Sequence, residues 1–176
     1  MTPRQPQNPR QEGGRRMGEH PCWHGAPRNR RRWGVILAGG DGVRLRGLTR
    51  LVCGDDRPKQ FCPLLGSSTL LDDARQRAER SICPEQIVFS LTRHHRKHYL
   101  RDLGDAQRLV QPCNKGTAPA ILSALLHITQ TDPDAIVAVL PSDHYYSQER
   151  IFTETLESAF AVAQAQPGSK IGRAHV

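Results

Sequence analysis

The chain has no apolar run approaching the roughly 20 residues of a membrane-spanning helix. Nor does its N-terminal stretch carry the apolar segment of a signal peptide, even after Arg15-Arg16. A cytoplasmic protein without a membrane partner is expected. Aromatic residues are only 5% of the 176. Beyond the tail, the chain lacks the interleaved basic and aromatic side chains that grip a nucleic acid strand, so nucleic acid is not an expected partner. There is no internal repeat. The five cysteines (Cys22, Cys53, Cys62, Cys83, Cys113) form no C-x-x-C, and Cys22-x-His24 lacks a second ligand pair for zinc. Free thiols are expected. His94, His95 and His98 sit among Arg93, Arg96 and Lys97 with no acid at ligand spacing. They read as a solvated helical face rather than as part of a four-ligand zinc site.

Negative charge is scarce at one end. The net charge is +8, and residues 1–32 hold eight arginines against two glutamates, leaving +2 for the remainder. The same stretch is rich in Pro, Gln, Arg and Gly and too poor in apolar groups to offset its ordering entropy. A disordered basic tail over 1–32 is expected. It could touch nucleic acid or anionic lipid, but a solvated extension is the simpler reading, as is an upstream translation with the start at Met17.

What is present centres on residues 33–61, WGVILAGGDGVRLRGLTRLVCGDDRPKQF. Val35, Ile36, Leu37 and Ala38 have the length of a buried strand. The turn Gly39-Gly40-Asp41-Gly42 follows, where the lack of Cβ lets successive N–H groups converge into an anion-binding concavity. Arg44 adds a permanent planar charge suited to phosphate oxygens, and Lys59 a second cationic point. Two other glycine motifs fail. Leu45 stands where a dinucleotide fingerprint needs its third glycine, and Leu48 where a Walker loop needs lysine. A bare strand-to-helix turn remains the alternative to a nucleoside triphosphate site.

The pattern L-A-G-G-x-G-x-R-L…L-T…P-K-Q-F resembles the signature of the sugar-1-phosphate nucleotidyltransferases, most closely the mannose-1-phosphate guanylyltransferases. Gly47 replaces the proline usual before L-T, and Cys53-Gly54-Asp55-Asp56 lengthens what reads as a loop beside the triphosphate. The resemblance implies that Leu37, Ala38, Gly39, Gly40 and Gly42 face the nucleotide, with Arg44 and Lys59 supplying charge. A second stretch, Gln111-Pro-Cys-Asn-Lys-Gly-Thr-Ala-Pro-Ala-Ile121, is similar to the family segment that holds purine and ribose. It implies that the Gln111 amide meets a base edge and that the Gly116-Thr117 backbone lets the base come close. Without the resemblance this stretch is a loop and a helix start, with Thr117 as cap. Pro141-Ser142-Asp143-His144 follows the apolar run 135–140. In the family the matching aspartate, here Asp143, binds Mg²⁺, a hard cation suited to oxygen ligands.

Strand and helix alternate four times. Helices are expected from Leu70 to Ile82 behind a cap at Ser67 or Ser68, from Arg93 to Leu103, from Thr117 to Ile128, and from Gln148 to Ala165. The third would bury Ile121, Leu122, Leu125, Leu126 and Ile128. Strands are expected over 86–90, 108–110 and 135–140, the last central because it is apolar on both faces. This alternation predicts an α/β, Rossmann-like three-layer fold with a mostly parallel sheet and right-handed crossovers. Gly39, Gln111 and Asp143 then meet at one sheet edge, where open α/β sheets bind ligands. Residues 33–170 are expected to be the nucleotide-binding part of a domain truncated at its C-terminus. Residues 171–176 match a translation of ATC GGA AGA GCA CAC GTC, a common sequencing-adapter read, and are expected to be artefactual. The acceptor-sugar half and a second metal carboxylate would then be missing.

By resemblance the activity is guanylyl transfer from GTP to mannose 1-phosphate, giving GDP-mannose and pyrophosphate. Arg44, Lys59 and Asp143 are the catalytic candidates, Mg²⁺ is the cofactor, and a homo-oligomer is compatible. Two readings compete with it: a non-catalytic nucleotide- or sugar-phosphate-binding module, and a nucleic-acid binder led by its tail.

Overall fold

The structure is a computed structural model and describes residues 31–167. All but residues 31 and 32 of the expected basic tail, and all of the expected artefactual end, lie outside the described residues. Arg32 already belongs to the first strand, and Arg31 lies beside Asp134 at 3.4 Å. No helix among the described residues is long and apolar enough to cross a membrane.

Four strands form one sheet: β1 (Arg32–Leu37), β2 (Ile87–Thr92), β3 (Gln107–Gln111) and β4 (Ile136–Pro141). Every pairing is parallel and the spatial order is β3-β2-β1-β4. Such pairing needs crossover segments, and these carry α1 (Arg46–Cys53), α2 (Leu70–Glu79), α3 (Arg96–Asp102) and α4 (Thr117–Thr131), while α5 (Glu149–Ala165) follows β4.

Side chains alternate across the strands, so each strand feeds two cores. Ile36, Phe89 and Leu91 pack with Leu71, Ala74 and Ala78 of α2, Tyr99 of α3 and Phe160 of α5. Trp33, Val35 and Val88 face the other way, onto Ala124 and Ile128 of α4. The result is the three-layer α/β fold expected from the alternation. β2 is buried at all six positions because sheet and helices enclose it, whereas β3 alternates as an edge strand does.

Several expectations fail for local or packing reasons. Residues 46–53 form α1 instead of a loop, closed at Gly54 in the left-handed conformation (φ 74°) that glycine tolerates. Cys53 at its end is disulfide-bonded to Cys62, so these two cysteines are not free thiols; Cys83 and Cys113 are. Closing so short a loop removes about 2–3 kcal/mol of unfolded-chain entropy. Thr69, not a serine, caps α2, its hydroxyl accepting from the Asp72 N–H at 3.1 Å. α4 is capped at Gly116 without a side chain, and Thr117 is its first helical residue. Its buried stripe is Ala120, Ala124 and Ile128, while Leu122 and Leu126 are exposed. The small alanines let α4 lie close over β1 and turn the leucines outward. β4, expected to be central, is an edge strand among the described residues.

Candidate active site

The strand order positions the site. From β1 the chain steps outward to β2 and β3, then returns across β1 to β4. The connections therefore diverge beside β1, and the crevice at the carboxyl ends of β1 and β4 is where such sheets take ligands. Hydrogen bonds fasten this rim. The Ser142 hydroxyl donates to the Leu37 carbonyl at 2.7 Å, and the Ala38 N–H donates to the Ser90 carbonyl at 2.9 Å. Gly42 turns with φ 61°, and a Cβ there would stand 3.1 Å from the Lys59 nitrogen. Glycine is thus needed twice, for its left-handed backbone and for the close approach of Pro58-Lys59.

That approach carries Lys59 to Asp143, with which its ammonium forms an ion pair. Leu37, Gly39, Gly40, Gln111, Gly116, Thr117 and Asp143 border one hollow of about 1380 Å³, which continues along the outer edge of β4 to α5. The three segments expected to converge therefore do so. Gln111 donates an amide N–H to the Ser90 hydroxyl at 3.1 Å, which orients its amide at the border of the hollow. The N-terminal turn of α4 opens on the same hollow and carries no acidic residue, so its unpaired N–H groups and dipole favour an anion.

Four expected residues do not line the hollow: Gly42 and Lys59, which reach its rim only through the contacts just described, and Ala38 and Arg44. Ala38 is buried with both backbone groups engaged, so it supports the loop instead of facing the hollow. Arg44 is exposed on the 3-10 turn Val43–Leu45 and does not line the hollow.

The structure adds residues that motif reading passed over. Asn114 accepts from the Gly116 N–H at 2.9 Å and donates to Asp41 at 3.2 Å, which joins the α4 loop to the glycine turn. His95 approaches the other Asp41 oxygen at 3.3 Å, and its second nitrogen shares a 2.9 Å hydrogen bond with Thr92. His95 is buried and His98 stacks half-buried on Phe61, so of the three histidines expected on a solvated face only His94 is exposed. Asp41, lying between glycines, offered a faint signal; His95 offered none.

Burial lowers the His95 pKa below its ordinary value more than the Asp41 carboxylate, 44% exposed, raises it. The fold therefore favours neutral imidazole. Its contribution is complete above the ordinary histidine pKa of 6.5 and is lost as pH falls through the lowered value. The melting temperature should fall as pH is lowered below 6.5, and His95→Gln should flatten that fall in part. His98, lowered by burial with the same sign, supplies the rest.

Behind Asp143 the chain is clamped. Arg77 of α2, its side chain 6% exposed, forks onto Glu149 at 2.8–3.1 Å and lies over the Tyr146 ring at 4.7 Å. The turn that bears Asp143 is thus anchored at both ends, by Ser142 and by the Arg77 clamp.

Residues 33–175 match the family described as Nucleotidyl transferase. Among curated relatives, "Mannose-1-phosphate guanylyltransferase 2" of Escherichia coli O157:H7 is 31% identical over 73% of this chain and 27% of its own length. "Xanthan biosynthesis protein XanB" of Xanthomonas campestris is 34% identical over 74% of this chain and 28% of its own. A solved structure of a protein described as mannose-1-phosphate geranyltransferase from Thermus thermophilus superposes with a TM-score of 0.65 at 29% identity. The match covers 76% of this chain and 38% of that one. The chain spans little more than a quarter of the length of these curated relatives. A glycine turn and a strand-end carboxylate meeting at the switch point of a parallel sheet agree with that match, and the chain belongs to the nucleotidyl transferase family.

Proposed function

We propose that the hollow binds GTP and serves transfer of its guanylyl group to mannose 1-phosphate, giving GDP-mannose and pyrophosphate. The observation that carries this reading is the meeting of Lys59 and Asp143 beside the glycine turn and the α4 N-terminus. In the reaction a phosphate oxygen of the sugar phosphate forms a bond to the α-phosphorus of the triphosphate. The bond from that phosphorus to the bridging oxygen breaks, and pyrophosphate leaves with the electron pair. Such chemistry needs alignment and charge neutralisation more than a protein nucleophile.

Position supports the following roles. The amides of the glycine turn and the first turn of α4 take phosphate oxygens. Lys59 directs one donor at Asp143 and has others for the α-phosphate and the incoming phosphate. Arg44 meets the triphosphate from outside the hollow, and Gln111 with Gly116-Thr117 receives the base.

Asp143 is the residue for Mg²⁺. Among the described residues no group of three or more His, Cys, Asp or Glu side chains is placed to hold a metal. Mg²⁺ commonly takes one or two carboxylates and completes its shell from substrate phosphates and water, a share that the lone Asp143 fits. Bound there, the ion would neutralise triphosphate charge and act as a Lewis acid.

The choice of GTP and mannose 1-phosphate draws on relatives bearing that activity in their names. Because the chain spans only part of their length, a unit that binds nucleotide without turning it over is the second reading. A pyrophosphate-release assay across a panel of triphosphates and sugar 1-phosphates, run beside GTP calorimetry, tests both. Release with GTP and mannose 1-phosphate is the expected result. Tight GTP binding without release favours the second reading, and no binding of any triphosphate overturns both.

A further inference from the structure

The geometry points to Gln60 as a positioning residue that aims the N–H groups of Gly39 and Asp41 at the phosphates of the ligand. The inference rests on the reading of the hollow as a triphosphate site and assigns the part of the chain that shapes it.

Gln60 is 2% exposed, yet its side chain is polar. Its amide nitrogen donates to the Ala38 carbonyl at 2.9 Å and to the Gly40 carbonyl at 2.8 Å. Both acceptors are carbonyl oxygens, so only the NH₂ end of the amide can face them, and both of its protons are used. The two carbonyls belong to alternate peptide units of the glycine turn. No peptide among the described residues is cis. In a planar trans peptide the N–H points opposite to its C=O. Drawing the Ala38 and Gly40 carbonyls inward to Gln60 therefore turns the N–H groups of Gly39 and Asp41 outward. Gly39 and Gly40 line the hollow on that side. Neither N–H makes a backbone hydrogen bond among the described residues. They are two donors on the face of the turn turned away from Gln60, beside a hollow whose Asp143 pairs with Lys59.

Glycine alone does not produce this arrangement. Without a Cβ the turn is free to present either face of each peptide, and a freely turning loop would lose binding energy to its own ordering. The single amide of Gln60, held by the buried Phe61 and by the contact of Gly42 with Lys59, selects one orientation. The Pro58-Lys59-Gln60-Phe61 stretch thus contributes a charge from one residue and loop geometry from the next.

The test uses Gln60→Met and Gln60→Glu in the full 176-residue chain, titrated with inorganic tripolyphosphate and followed by ¹H–¹⁵N spectra. In the unsubstituted chain the Gly39 and Asp41 amides should show the largest shifts. Both variants at neutral pH should bind about tenfold or more weakly, the scale of a lost charge-assisted hydrogen bond, while resonances across the sheet stay in place. Gln60→Glu should regain affinity, relative to the unsubstituted chain at each pH, as its carboxyl gains a proton in acid; Gln60→Met should not. Unchanged affinity in both variants, or binding that leaves Gly39 and Asp41 unmoved, overturns the assignment. So does general loss of the sheet resonances in both variants, since that marks a purely structural role. Failure of the unsubstituted chain to bind tripolyphosphate instead overturns the triphosphate reading, and the assignment falls with it.

Discussion

Alanine at Lys59 should weaken GTP binding by about 10- to 100-fold, the range for losing a hydrogen bond to a charged group. Where turnover is measurable it should fall by about 10²–10³-fold, since charge that develops in transfer loses a preorganised donor. Stability should hardly move. Lys59 and Asp143 are 32% and 26% exposed, and ion pairs near water contribute about 0–1 kcal/mol. The substitution also removes the ammonium paired with the Asp143 carboxylate, which deepens the loss. Arg44→Ala should act more weakly, because that side chain is exposed and, unlike Lys59, forms no ion pair with a described residue that lines the hollow. Calorimetry and pyrophosphate release on both variants decide the matter. GTP affinity in the Lys59 variant equal to that of the unsubstituted chain would remove Lys59 from the site.

The second large effect concerns stability. Glu149→Ala strands the Arg77 guanidinium, almost wholly buried beneath Tyr146 and Phe152, without its carboxylate. Removing one partner of a buried pair costs about 3–5 kcal/mol, because the remaining charge is desolvated and uncompensated. The reverse change should cost less. In Arg77→Met the abandoned Glu149 is 33% exposed and still faces Arg80 at 3.4 Å. Denaturant midpoints of the two variants measure this asymmetry, and a milder Glu149→Ala would show that water reaches Arg77. The clamp also holds the segment behind Asp143, so the Glu149 variant should lose GTP affinity even where it remains folded.

Particular residues show where sequence reading succeeded and where it stopped. The strand over Val35–Leu37 was legible because apolar runs bounded by glycine are local signals. α1 was not, since Gly47 and the extra Cys53-Gly54-Asp55-Asp56 look like loop while Leu48, Leu51 and Val52 look surplus; the helix leaves Leu51 84% exposed. In α4 the leucines suggested the buried face, yet the alanines took it, because close helix–sheet approach favours small side chains over large ones. The solvated reading of the histidines failed at His95, whose partners Thr92 and Asp41 lie on different elements. Cys53 and Cys62 gave no pairing motif; α1 brings them together.

The sequence alone determined the alternation of strands and helices, the glycine turn after β1 and the carboxylate after β4. Each of these is written in the spacing of apolar residues or in a missing Cβ, which act within a few residues. Only the tertiary structure decided that β4 lies on the far side of β1 from β2. It alone brought Lys59 to Asp143 and left Arg44 outside, and set one glutamine against two carbonyls of the turn. Those outcomes depend on which strand edges and helix faces remain open once the sheet has assembled, a competition among distant segments that no local spacing records.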